Sequence, residues 1–190
     1  MMIPRILFVA LAMLLLPHAP APDGAADADA ESYGVYAAIF RQAPKPDRRI
    51  VILGETVTFP RCFPSGAALE EKGWAEALAN YHLQNKTART LGRSFNMNDP
   101  YVLLPASEWQ NLFPKSSPAN WRPFWKRFGA GGGYTRLSAV GFDEARTRAV
   151  LYSDALCGPK CGSGGYKLFT KYGGRWRSTV VNADLCDWMS

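Results

Sequence analysis

The sequence predicts an α+β domain: N-terminal helices packed on a C-terminal four-stranded antiparallel meander, stapled by disulfides. Three observations predict it. Helix-spaced apolar residues precede Gly129, alternating runs split by turn residues follow Gly133, and four cysteines stand behind a leader of export type.

The leader comes first. "MMIPR" carries one positive charge, and "ILFVALAMLLL" (Ile6 to Leu16) is an apolar run of eleven residues. "PHAPAPDGAADADA" then turns small and polar. That order is a secretory signal peptide's, and the run falls short of the about 20 apolar residues of a membrane-spanning helix. Small-x-small sites end at Ala21, Ala26, Ala28 and Ala30, and Pro22 hinders the first. The expectation is a signal peptide over residues 1–26, with cleavage between 21 and 30, and a single domain over 32–190 that is exported, periplasmic or secreted.

"YGVYAAIFRQ" has helical spacing and ends at "APKPDR". "RIVILGETVTF" is rich in β-branched residues and reads as a strand with a turn at Gly54. A helix starts near Ser65, takes Glu70 and Glu71 in its first turn, and carries Trp74, Ala77, Leu78, Tyr81 and Asn85 on one face. "SFNMNDP" is a loop, and "YVLLPASEWQNLF" is a strand that runs into a helical turn or is interrupted by Pro105. Asn120 caps a short helix with Pro123 in its first turn and Trp121, Phe124, Trp125 and Phe128 on one stripe. The stripe has the period of a buried face. Four strands follow: "YTRLSAVGF", "TRAVLYSDAL", "GYKLFTKY" and "RWRSTVVNADLCDWM", with Gly-Gly in "KYGGRW" marking a two-residue hairpin.

Charge is uneven. From Lys115 to Arg177 there are twelve Lys/Arg and three Asp/Glu, net +9, whereas Asp27 to Pro114 has nine against ten, net −1. Such a field attracts anions, and in an exported chain these are envelope polymers and lipid head groups rather than nucleic acid.

"CGPKC" admits three readings. A thioredoxin-type redox pair has two intervening residues and a following helix; here three intervene and a strand follows. Zinc wants a second close ligand pair, and Cys62 and Cys186 stand alone. A disulfide pair suits an even cysteine count in an oxidising compartment. The expected bridges are Cys157–Cys161, closing a strand turn, and Cys62–Cys186, tying the middle of the chain to its last strand. No cofactor or metal is expected. Lys160, Gly162, Gly164 and Lys167 form a candidate anion-binding nest, although the spacing matches neither a P-loop nor a dinucleotide fingerprint.

The stretch "LSAVGFDEARTRAVLYSDALCGPKCGSGGYKLF", with "GRWRS" after it, resembles a C-terminal pattern of small exported bacterial proteins that have no assigned activity. In that pattern a V-G-F strand leads to an alternating strand, a C-G-x-x-C-G-G-G-Y-like hairpin and a G-x-W strand. The resemblance spans Phe124 to Arg177 and implies no chemistry. Cys62 and Cys186 depart from it as an extra pair.

After processing, His82 is the only imidazole, and no "GxSxG" or "HExxH" occurs. Glycoside cleavage would need two acids across a cleft; Glu55, beside a strand and a glycine, is the carboxylate to watch. The sequence therefore points to a non-enzymatic exported domain that binds an anionic envelope polymer or a protein partner. The alternative is a small secreted hydrolase acting on cell-wall or glycan substrates.

Overall fold

The computed structural model describes residues 29–41, 49–58, 64, 67, 69, 73–114, 120–181 and 184–190. The expected leader, Cys62 and the expected helix start at Ser65 with Glu70 and Glu71 lie outside these residues. In chain order the elements are α1 (Ala30–Phe40), β1 (Ile50–Leu53), α2 (Ala75–Gln84), β2 (Tyr101–Leu104), α3 (Ala106–Leu112) and α4 (Arg122–Phe128). Then come β3 (Tyr134–Leu137), β4 (Gly141–Phe142), β5 (Arg148–Gly158), β6 (Cys161–Tyr172), β7 (Arg175–Thr179) and β8 (Trp188–Met189).

The strands form one mixed sheet of order β2-β1-β3-β5-β6-β7. β4 continues the place of β3 along β5, and β8 continues that of β7 along β6. From β3 onward every pairing is antiparallel, and Gly173 and Gly174 take the positive φ values (54° and 74°) that the β6–β7 hairpin requires.

Several expectations need correction. The sheet is not confined to the C-terminal half: β1 pairs in parallel with both β2 and β3. Parallel strands join through long crossovers, so no local spacing announces the pairing. Nor do the helices share one face. Ala149, Leu151 and Phe169 face a core with Tyr33, Val35 and Tyr36 of α1, while Val150, Tyr152 and Leu168 face Ala77, Leu78 and Tyr81 of α2. Further along that second face, Val51, Leu104 and Tyr134 pack with Trp121 and Phe124 of α4. The unbroken run "AVLY" in β5 is the signature of a strand buried on both sides.

The expected strand "YTRLSAVGF" is split at Ser138–Val140, and the break is held from both faces. Asn85, at the end of α2, donates to Ala139 O (3.0 Å) and accepts from Ala139 N (2.8 Å), standing in for a strand neighbour. From the other face, the Tyr36 hydroxyl donates to Ser138 O at 3.0 Å. Next to the break, α2 lies directly on Gly141: a Cβ there would overlap the backbone of Ala77 and Tyr81. Glycine sets this close helix–strand approach.

Candidate functional site

A recess of about 700 Å³ opens between the start of α1, the outer side of α2 and the turn joining β4 to β5. Its apolar wall is Val140, Phe142 and Leu83; its polar groups come from Asp29, Glu76, Asn80, Gln84, Arg89 and Arg146, among others. Caps, turns and contacts between elements hold most of them in place. Asp29 caps α1 by accepting from Ser32 N at 2.8 Å and pairs with Arg146 at 2.8 Å. Asp143 organises the β4–β5 turn, accepting from Thr147 N (2.7 Å), Arg148 N (2.8 Å) and the Thr147 hydroxyl (2.8 Å). Arg146 closes that turn at φ 51° and lies 4.9 Å over the Phe142 ring. Asn80 accepts from Phe142 N at 3.0 Å, and Arg89 donates to Gln84 Oε1.

Burial alone would raise the Asp29 carboxyl, but the Ser32 amide and Arg146 outweigh it and hold it below its ordinary 3.8. For Asp143 burial likewise raises, and the Arg148 and Thr147 bonds win, so it too is lowered. Glu76 and Glu144 face the same space, with Glu144 N 3.4 Å from Glu76 Oε2, and neither carboxylate has an ion-pair partner among the described residues.

The cysteine loop has a different role. Cys157 and Cys161 are disulfide-bonded across the β5–β6 turn. Cys186 is also disulfide-bonded; its expected partner, Cys62, lies outside the described residues. The glycines that follow pave a track for the chain near its C-terminal end. A Cβ at Gly162 or Gly164 would lie 3.2 Å or 2.8 Å from the Trp188 ring, and one at Gly165 would overlap the Asp187 carboxylate. Gly162 N donates to Ser190 O at 3.2 Å and Ser190 N returns a bond to Gly162 O at 2.9 Å. Lys167 pairs with Asp187 at 3.0 Å, and Gly164 and Lys167 line a cleft of about 410 Å³ with Trp188 and Met189. Lys160 stands apart at the exposed tip of the stapled turn. The four residues of the expected nest are thus divided between a tip, a strand ladder and an ion pair.

Trp188 leads to a buried polar group that the sequence did not suggest. Its indole N–H donates to the Tyr152 hydroxyl at 2.8 Å, which donates in turn to Asp154 Oδ2 at 3.2 Å. Arg136 grips Asp154 with two bonds, Nε to Oδ1 at 2.7 Å and Nη2 to Oδ2 at 2.5 Å. Asp154 is 2% exposed. Burial would lower Arg136, and the Asp154 contact reverses the direction. The only sequence signal was an acid at an inward position of an apolar strand.

Glu55 is exposed at a single bridge to Thr90 and lines none of the described cavities. His82 is exposed on α2, with its ring against Tyr81. Among the described residues no group of three His, Cys, Asp or Glu side chains is placed to hold a metal ion, and no helix is long and apolar enough to cross a membrane. No protein-family model, curated protein or solved structure matches the chain, so its own geometry carries the functional reading.

Proposed function

We propose that the chain is an exported, non-enzymatic domain that binds an envelope component or a protein partner, and that the ligand enters the recess between α1, α2 and the β4–β5 turn. The recess carries this reading. Its volume falls in the range of small-ligand pockets, about 300–1,000 Å³, and it joins an apolar wall to polar groups held by caps and turns. Catalysis has less support. A general acid working near neutrality needs a raised carboxyl, and Asp29 and Asp143 are both lowered. The three described cysteines are in disulfides.

One observation favours the hydrolase reading as the alternative: Glu76 and Glu144 share the recess. Incubation with isolated cell-wall polymer separates the two. Retention on the polymer with no released fragments by mass spectrometry supports binding. Fragments that vanish in Glu76→Gln make the chain a hydrolase. Ala79, on the exposed lining of α2, supplies the site test: Ala79→Trp fills the recess and is expected to abolish retention while leaving the melting temperature unchanged. Retention undiminished by Ala79→Trp would remove the recess from the proposal.

A further inference from the structure

We propose that the end of the molecule built from α4, the loop at 129–133 and the Cys157–Cys161 turn is a contact surface for an anionic phospholipid bilayer. These segments are neighbours: the Cβ position of Gly158, inside the stapled turn, is 3.6 Å from the ring of Trp125 on α4. The segments 120–133 and 155–163 contain no Asp or Glu. Arg122 and Lys126 on α4 and Lys160 at the turn tip are exposed and have no ion pair among the described residues. Arg127, between them in sequence, is paired with Glu108 at 2.5 Å.

Among the described residues, the other cations of the basic half are paired or lie elsewhere. Arg136, Arg146, Lys167 and Lys171 each hold a carboxylate, and Arg148 donates to Gly73 O. Arg175 and Arg177 are exposed on β7, which pairs with the opposite end of β6 from the cysteine turn. The uncompensated charge near the stapled turn is therefore local.

Charge and the aromatic rings select the partner. Arg122, Lys126 and Lys160 line none of the described cavities, and they stand exposed at the surface. Beside Gly129 and Gly131 there is open space, so the loop can approach a broad surface. Half-buried Trp125 and Phe128 sit among the cations. The inner sides of these rings pack on the core around Phe124, and basic side chains beside their exposed edges suit a lipid interface, where the cations meet lipid phosphate. This inference takes only the exported setting from the preceding proposal, not the recess.

The test is sedimentation of the full mature chain with phosphatidylcholine vesicles, with and without phosphatidylglycerol at roughly one lipid in three. The expected result is binding that needs phosphatidylglycerol and falls away at about 0.5 M salt. The triple variant Arg122→Gln, Lys126→Gln, Lys160→Gln is expected to bind about fivefold more weakly per lost charge, while Arg175→Gln with Arg177→Gln keeps most of the binding. Circular dichroism establishes that both variants are folded. The proposal is overturned by equal loss in both variants, by no dependence on phosphatidylglycerol, or by tighter binding to soluble polyphosphate than to vesicles. Ala79→Trp should leave vesicle binding unchanged, so the failure of either proposal is read separately.

Discussion

Single residues carry much of the specification here. Asn85 is 8% exposed and bonds both backbone groups of Ala139. Asn85→Ala leaves that buried N–H and C=O unpaired, and the expected loss is about 2–3 kcal/mol in urea unfolding; Asn85→Asp, which keeps only the acceptor, should also destabilise. Asp154 gives a second case. Asp154→Asn weakens the grip on Arg136, whose side chain is 26% exposed, so about 2 kcal/mol is expected, below the cost for a fully buried pair. A double-mutant cycle with Arg136→Met should show coupling, and additive effects would refute it. Acid sensitivity is predicted from Asp29 and Asp143. Both are lowered in the fold, so their contribution is complete above the ordinary aspartate value of 3.8 and is lost as pH falls through the folded values. Unfolding midpoints at pH 7 and pH 3 measure it, and Asp143→Asn should flatten the difference. Little of this was legible in sequence. Asn85 shows in the sequence as part of an apolar face, but its two bonds depend on a strand break that local spacing does not reveal.

At the scale of elements, legibility follows the range of the forces. The helix stripe Trp74–Ala77–Leu78–Tyr81 is buried as expected, because amphipathic periodicity is a local signal. The short helix α4 forms with Pro123 in its first turn as expected, but its N-cap is Trp121; Asn120 stands one residue before it and accepts from Arg122 N at 3.1 Å. The Gly-Gly hairpin and the Cys157–Cys161 staple are equally local. What escaped were the contacts between elements. The glycines after Cys161 make room for Trp188 and Asp187, residues more than twenty positions downstream, and no local spacing announces that packing. Gly165→Ala is therefore expected to cost at least about 2 kcal/mol through overpacking and to free the β8 segment, seen as faster amide exchange at Gly162 and Tyr166. Unchanged exchange would mean that Asp187 moves aside at no cost.

At the scale of the whole molecule, the sheet binds distant parts of the chain. β1 runs between β2 and β3, partners that begin about fifty and eighty residues later. The recess shares this dependence: Asp29, Glu76 and Arg146 meet only when α1, α2 and the β4–β5 turn have all docked. That is why the sequence pointed to Glu55 and passed over Glu76. Reducing agents should have graded effects. The short Cys157–Cys161 loop is worth about 2 kcal/mol by chain entropy, so Cys157→Ser with Cys161→Ser should lower stability by that order without unfolding the chain, as read by its melting temperature. The central position of β1 also bears on biosynthesis. Its "IVIL" emerges early, as four consecutive aliphatic residues with no strand beside it until β2 has been made. Throughout that interval it has the composition of an aggregation-prone segment. β1 is therefore the stretch most exposed to misassociation until β2 arrives to pair with it.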